Sequence, residues 1–114
     1  MKSVENLCWV YITAGSFEEA KNIGQKLVEQ SLAACINLLE NMTSIYKWGD
    51  KLEEGQEVVI IAKTRKSLMP KLIETVISLH SYDCACILEL PIQGGNPEFL
   101  KWIETETANT EERQ

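Results

Sequence analysis

The spacing of apolar residues changes several times along the chain, and each change predicts a new element. The stretch LCWVYITA (7–14) is rich in β-branched and aromatic residues and ends at Gly15. This pattern predicts a central strand with apolar side chains on both faces. Ser16 and Glu19 have the spacing of a capping box, and a stripe of helical period follows to about Ser31. The stripe consists of Phe17, Ala20, Ile23, Leu27 and Val28.

A long β-hairpin is predicted in the middle of the chain. Residues 34–48 look extended, residues 48–51 form a turn, and a second extended run ends in EVVIIAKT (57–64). The continuous apolar run at 58–62 indicates a strand buried on both faces. A strand over 34–48 would span roughly 50 Å, whereas a domain of this size has a radius of gyration near about 13 Å. Part of the hairpin must therefore bend or leave the domain.

A second helix and a fourth strand are predicted after the hairpin. Ser67 is expected to cap the helix, with Pro70 tolerated in its first turn. The fourth strand is predicted over CILELPI (86–92). The apolar stripe of the helix consists of Met69, Leu72, Ile73, Val76 and Ile77.

Asn96 as cap and Pro97 at the first helical position predict a short third helix, and the polar tail 105–114 is expected to be frayed. The element order β-α-β-β-α-β predicts the α+β class. The specific architecture is a ferredoxin-like split βαβ sandwich, in which two helices cover one face of an antiparallel sheet. At 114 residues, the chain 1–114 is expected to form a single domain.

The far end of the hairpin predicts self-association. Ile45, Tyr46 and Trp48 are a costly set of side chains to leave in water, and an uncovered edge strand invites pairing with another chain. We therefore expect a homo-oligomer held by hairpin overhangs.

Composition and charge exclude several classes of partner. The net charge of −6 repels phosphate backbones, and the chain lacks a basic stripe, so no nucleic-acid partner is expected. No apolar run approaches the roughly 20 residues of a membrane span, which predicts a soluble protein. The N-terminus lacks the pattern of a signal peptide, and the four cysteines have no disulfide-framework spacing. Reduced thiols and a cytoplasmic location are therefore expected.

The stretch HSYDCACILELP (80–91) contains the chain's one histidine and two of its four cysteines, and it has two interpretations. In the first, Cys84 and Cys86 share the helix-facing side of the fourth strand with Leu88, Leu90 and Ile92, and are small core residues. We then expect Cys86 to be buried in the strand and Cys84 to lie nearer the surface, beside His80.

In the second interpretation, His80, Cys84 and Cys86 converge on one soft metal ion, since thiolate and imidazole suit Cu(I) or Zn(II). A structural zinc site normally uses four ligands and this set offers three, so the first interpretation is preferred. His80 is otherwise expected to serve the last carbonyls of the second helix. No oxyanion hole or third orienting residue accompanies a Cys-His pair, so no enzymatic activity is expected. The acidic run Glu53, Glu54 and Glu57 is expected to be a solvated part of the hairpin that raises the local cation concentration.

Four segments also carry a family resemblance: LAACINL, SIYKWGDKLEEGQEVVIIAKT, LHSYD and LPIQGGNPEFLKWIE. Over nearly its whole length the chain strongly resembles the CutA family of divalent-cation tolerance proteins. The resemblance implies a ferredoxin-like homotrimer whose long hairpins pair across subunits, and a link to copper and other divalent cations. It carries the family histidine over to His80, and other family positions over to Tyr46, Trp48, Lys63, Tyr82 and Trp102. These five are the candidate ligand-binding residues, although aromatic residues lie more commonly at oligomer contacts.

The departures from the family pattern fall in the same region. Ser81 replaces a proline, Asp83 replaces a glutamate, and Cys86 replaces an acidic residue that commonly lines the subunit cleft. Ile12 stands where some members have a cysteine suggested as a metal ligand. The family's metal ligands therefore do not all carry over to this chain.

Two functions are predicted. The favoured one is a cytoplasmic homotrimer of divalent metal tolerance or response that binds copper or a similar cation weakly. The alternative is a small-ligand sensor similar to the nitrogen-regulatory PII proteins, with a nucleotide or metabolite in its subunit clefts. Lys63 and the turn at 94–95 would favour an anionic ligand, whereas His80, Cys84 and Cys86 would favour a metal.

Overall fold

The computed structural model describes residues 6–108, which form one antiparallel four-stranded sheet with three α-helices. The strand order is β2-β3-β1-β4, so the first strand is central, as predicted. This confirms the ferredoxin-like α+β fold. The elements are β1 (Leu7–Ala14), α1 (Phe17–Glu29), β2 (Cys35–Trp48), β3 (Lys51–Arg65), a 3₁₀ turn (Lys66–Leu68), α2 (Met69–Leu79), β4 (Ile87–Pro91) and α3 (Pro97–Glu106).

The main core lies between one face of the sheet and the helices α1 and α2. Cys8, Val10 and Ile12 alternate along β1 and are buried in this core. On the opposite face, Leu7 clusters with Leu100 and Ile103 of α3. Two helices therefore cover one face, as predicted, and α3 covers one end of the other.

The hairpin β2–β3 projects from the domain. Its strands pair from Cys35 opposite Lys63 to Trp48 opposite Lys51, with a bulge between Leu39 and Met42. The molecule measures 52 × 25 × 22 Å and has a radius of gyration of 15.3 Å, above the roughly 13 Å of a compact chain of this length. The predicted overhang is confirmed, and at its tip the side chain of Trp48 is 75% exposed.

The capping prediction for α1 is confirmed and that for α2 is wrong. Ser16 Oγ accepts a hydrogen bond from the backbone N–H of Glu19 at 3.1 Å. Ser67 does not cap α2, because the chain passes from β3 directly into a 3₁₀ turn. The N-cap of α2 is Leu68, whose backbone is already helical and which provides no side-chain cap, although Pro70 does occupy the first turn.

The predicted orientation of β4 is also wrong. Val10 pairs with Glu89 and Ile12 with Ile87, so alternation places Leu88 and Leu90 on the face opposite the main core. Leu88 and Leu90 are 57% and 45% exposed. A charged residue can occupy the helix-covered side here because β4 is an edge strand, where Lys66 reaches Glu89 at 2.9 Å.

The start of the predicted frayed tail is packed. Thr107 and Ala108 are buried, and Thr107 Oγ1 donates to Ile103 O at 2.7 Å. Arg65 Nε donates to Thr107 Oγ1 at 3.1 Å. Residues 105–108 therefore close the end of α3, while the rest of the expected tail, 109–114, lies outside the described residues.

Candidate functional site

His80 anchors the loop that follows α2 to the end of β1. Its ring Nε2 lies 2.7 Å from Thr13 O, and the backbone N–H of Tyr82 donates to its Nδ1 at 3.1 Å. Since Nδ1 accepts, the ring proton is on Nε2, which donates to the carbonyl. The imidazole is 0% exposed. His80 does form the C-cap of α2, but its ring bonds to β1 instead of the helix carbonyls that the sequence predicted.

Glu19 fixes the same loop from the start of α1. Its carboxylate accepts hydrogen bonds from the backbone N–H of Ser81 at 2.7 Å and of Gly15 at 3.2 Å, and lies 3.7 Å from His80 Nδ1. Burial acts to raise the pKa of Glu19, but the hydrogen bonds from Ser81 and Gly15 outweigh it and lower the pKa. This capping-box glutamate therefore also holds the loop.

Glu57 joins the loop to the hairpin. Tyr82 Oη donates to Glu57 Oε2 at 2.9 Å, and Ser44 Oγ donates to Glu57 Oε1 at 2.5 Å. Burial, followed by the hydrogen bond to Glu57 and its charge, raises the pKa of Tyr82 to about 12. A Cβ atom on Gly15 would lie 3.2 Å from Tyr82 Oη, so the glycine gives the tyrosine room. The two strands of the hairpin and the loop thus meet at one carboxylate.

A cleft of about 660 Å³ lies between this loop and the outer part of the hairpin. Within residues 6–108, the charged side chains that line it are Glu53 and Glu57, and both are acidic. The cleft therefore combines negative charge with aromatic rings and two thiols. Its lining residues are Thr13, Tyr46, Trp48, Glu53, Gly55, Gln56, Glu57, Tyr82, Cys84 and Cys86.

The structure brings together three of the five predicted ligand-binding residues. Tyr46, Trp48 and Tyr82 all line the cleft. Lys63 lies elsewhere, where its Nζ hydrogen-bonds to Asn37 Oδ1 and lies 3.6 Å from Cys35 Sγ. Trp102 packs against Phe99 on α3, with ring centroids 5.4 Å apart.

The predicted metal ligands are only partly brought together. Cys84 is exposed, as expected, and Cys86 is half-buried, and both line the cleft, whereas His80 does not. Cys86 precedes β4, so its predicted burial within that strand is wrong. Burial, together with the charges of Glu57 and Cys84, raises the pKa of the Cys86 thiol. A hydrogen bond with the Thr13 side chain acts to lower that pKa but does not outweigh the increase. Among the described residues, no three His, Cys, Asp or Glu side chains form a metal-holding group, and the three-ligand site stays a prediction.

Sequence reasoning missed the acidic and polar part of the cleft. Glu53, Gly55 and Glu57 alternate along β3 and therefore share one face of the hairpin. The acidic run looked like a solvated surface because nothing in the local sequence shows that Tyr82 lies over Glu57. The alternation of Glu53, Gly55 and Glu57 is the signal from which their common face could have been predicted.

The fold and cleft define a ferredoxin-like protein with an acidic cleft that is lined by two thiols. The family model described as CutA1 divalent ion tolerance protein matches residues 8–106, and this chain belongs to that family.

Relatives and solved structures agree with this assignment. The chain is 44% identical over 98 residues to the "Divalent-cation tolerance protein CutA" of Thermus thermophilus, covering 86% of this chain and 95% of that protein. It is 45% identical over 98 residues to the "Protein CutA homolog" of Xenopus laevis, covering 86% of this chain and 65% of that protein. The crystal structure of CutA1 from Oryza sativa superposes with a TM-score of 0.89 at 34% identity, covering 95% of this chain and 100% of that one.

The chain spans between about half and two thirds of the length of the vertebrate relatives that it matches: 55% of the mouse protein, 65% of the Xenopus protein and 54% of the human protein. Within residues 6–108, no helix has both the length and the apolar content that crossing a membrane requires.

Proposed function

We propose that this protein binds divalent metal cations in the cleft and acts in tolerance of, or response to, those cations. The observation that carries the proposal is the charge of the cleft, where Glu53 and Glu57 are the charged lining residues described. Two carboxylates attract a dication and repel an anion. The name of the Thermus relative, "Divalent-cation tolerance protein CutA", supports the same function.

Copper, or another cation that accepts sulfur, fits the cleft better than magnesium or calcium. Cys84 and Cys86 supply sulfur next to the carboxylates, whereas magnesium and calcium require an oxygen-only shell. We expect binding to be weak, because the carboxylate of Glu57 already accepts hydrogen bonds from Ser44 and Tyr82.

A sensor of nucleotides or other anionic metabolites is disfavoured by the same geometry. Phosphate groups need cationic or N–H donors, and Lys63, the lysine predicted for that role, hydrogen-bonds to Asn37 away from the cleft. Glu53 and Glu57 would repel a triphosphate.

A binding role is also preferred to an enzymatic one. His80 is the chain's one histidine, and both of its ring nitrogens already have hydrogen-bond partners. Abstracting a proton would require His80 to release the Tyr82 N–H, and with it the loop that forms one wall of the cleft.

The functional unit that we propose is a homotrimer held by the projecting hairpins. Ile45, Trp48 and Leu52 are exposed on the outer hairpin, and within residues 6–108 no strand pairs with the outer side of β2. Pairing with another copy would cover the apolar side chains and satisfy that edge. Light scattering at micromolar concentration should give three times the chain mass, and a monomer mass would contradict the assembly.

We place the protein in a reducing compartment, the cytoplasm. All four cysteines are free thiols in the structure, and Cys84 is exposed. Mass spectrometry after rapid alkylation of whole cells should find Cys84 unoxidised, and a predominantly oxidised Cys84 would contradict this location.

Calorimetric titration of the purified protein tests the proposed function. We expect heat and saturation with Zn(II), a redox-inert dication, and none with ATP in the absence of metal. Saturable ATP binding together with no Zn(II) binding would reverse the assignment in favour of the sensor.

A further inference from the structure

The base of the hairpin places a thiol in contact with an amine. Cys35 of β2 lies directly opposite Lys63 of β3 in the register of the two strands. Side chains of opposed residues in antiparallel strands lie on the same face of the sheet, with their Cβ atoms about 4.5–5.5 Å apart. The long lysine side chain spans that gap, and its Nζ lies 3.6 Å from Cys35 Sγ. A nucleophilic sulfur and a nucleophilic nitrogen therefore meet across the hairpin.

Asn37 holds the amine beside the sulfur. Asn37 follows Cys35 by two residues on β2, so the two side chains share one face, and Asn37 Oδ1 accepts a hydrogen bond from Lys63 Nζ. A lysine side chain loses much rotamer freedom when it is fixed in this way. Lys63 is half-buried, and its amine contacts Cys35 and Asn37 together. The fold has therefore already ordered the two groups for a reaction between them.

The other described thiols lie apart from Cys35. Cys8 is buried in the main core on the opposite face of the sheet, and Cys84 and Cys86 line the cleft at the outer hairpin. Cys35 packs against the small apolar cluster beneath α3 but is only half-buried, so a small oxidant can reach its sulfur. The nucleophile in contact with an oxidised Cys35 is therefore the amine of Lys63.

We propose that Cys35 and Lys63 form a peroxide-sensitive modification site, in which oxidation joins Cys35 Sγ to Lys63 Nζ by a covalent sulfur–nitrogen bond. A sulfenic acid condenses with a neighbouring thiol or nitrogen, and the neighbour here is an amine. The proposal goes beyond cation binding and is independent of it, because neither Cys35 nor Lys63 lines the cleft.

The reaction balances with one hydroperoxide as the oxidant. The Cys35 thiolate attacks one peroxide oxygen, the O–O bond breaks, and the products are a sulfenic acid and one water. Lys63, as the free amine, then attacks the sulfur. The S–O bond breaks, an S–N bond forms, and the hydroxyl group leaves with one amine proton as a second water. The peroxide is reduced and the sulfur is oxidised by two electrons. A dithiol reductant reverses the link by forming its own disulfide and returning the thiol and the amine.

Peptide mapping of the whole protein after treatment with hydrogen peroxide tests the site. Remaining thiols are alkylated, and the protein is digested with trypsin, which does not cleave after a lysine whose amine is bonded. We expect residues 27–47 and 52–65 to be recovered as one joined species, lighter by two hydrogens than the sum of the two peptides. Dithiothreitol added before alkylation should abolish that species.

Three variants separate a positioned pair from incidental oxidation. Lys63→Arg keeps the positive charge but removes the nucleophilic amine, so Cys35 should remain a sulfenic acid that dimedone traps. Asn37→Ala should lower the yield of the joined species at least about threefold, because the amine is no longer held at the sulfur. Lys66→Arg is the matched control, since Lys66 contacts Glu89 at 2.9 Å, and it should leave the yield unchanged.

Three results would overturn the proposal. In the first, Cys35 of the treated parent protein carries only added oxygen while trypsin still cleaves after Lys63. In the second, the joined species retains an oxygen atom, which would exclude the direct sulfur–nitrogen bond. In the third, Asn37→Ala gives the same yield as the parent, which would show that the contact seen in the fold does not direct the reaction.

Discussion

Replacement of Glu19 by glutamine should destabilise the protein far more than its position in an ordinary first helical turn suggests. The Glu19 carboxylate accepts one hydrogen bond from Ser81 N at 2.7 Å and one from Gly15 N at 3.2 Å. Glutamine keeps one acceptor oxygen and presents an NH₂ group to the other donor. The substitution therefore removes one hydrogen bond to the charged carboxylate and weakens the other. A hydrogen bond to a charged group contributes about 1.5–3 kcal/mol to stability.

Guanidinium unfolding at a fixed protein concentration measures this loss. We expect the free energy of unfolding of Glu19→Gln to fall by about 2–3 kcal/mol with an unchanged denaturant slope. Glu18→Gln is the matched control, because Glu18 is an acidic residue of the same helical turn. Its substitution removes only the interaction with the helix dipole, which is worth about 0.3–1 kcal/mol. Equal losses in the two variants would refute the role assigned to Glu19.

The pH dependence gives an independent check with a defined sign. The pKa of Glu19 is lower in the folded protein than its ordinary value of 4.5. Its contribution is therefore fully present above about pH 4.5 and is lost as the pH falls through the lower folded pKa. The gap in stability between the parent and Glu19→Gln should shrink in acid below that pH, and a gap that stays constant would contradict the linkage.

Three further predictions concern assembly, packing and thiol chemistry. Trp48→Glu should weaken the proposed trimer by several kcal/mol, because it places a charge among apolar partners. An unchanged melting temperature and an unchanged mass by light scattering would contradict a position of Trp48 at the contact between subunits. Gly24→Ala should lower the melting temperature, because the added Cβ would lie 2.8 Å from Cγ2 of the β-branched Ile36. Such overpacking costs about 1–3 kcal/mol, which exceeds the gain in helix propensity. A raised melting temperature would argue against that contact. Iodoacetamide should alkylate the exposed Cys84 first and the buried Cys8 last. Burial and then the charge of Glu89 raise the pKa of Cys8 to about 11, although Lys66 acts to lower it. Equal alkylation rates would be inconsistent with this structure.

The order of elements and the projecting hairpin were predictable because both depend on local spacing and chain length. The central strand and the Ser16 cap follow from residues close together in sequence. The orientation of β4 was not predictable, since Leu88 and Leu90 look like core residues until the register with β1 places them on the other face.

The candidate site was predicted in part for the same reason. The family resemblance carried Tyr46, Trp48 and Tyr82 to the cleft, but not the contacts that build it. Tyr82 and Glu57 are 25 positions apart, and Glu19 and Ser81 are 62 apart. Apolar periodicity reports which face of an element is buried, and does not report which polar residue meets which across the fold.

The most direct test of the cation cleft is the Zn(II) affinity of Glu53→Gln compared with that of Glu54→Gln. The two residues are neighbours on β3, but Glu53 lines the cleft and Glu54 is not among its lining residues. Removing one carboxylate charge about 5 Å from a dication weakens the attraction by about 1–2 kcal/mol even in water, or roughly tenfold in affinity. We predict that loss for Glu53→Gln and less than about a threefold change for Glu54→Gln, whereas equal affinities in the two variants would contradict cation binding in this cleft.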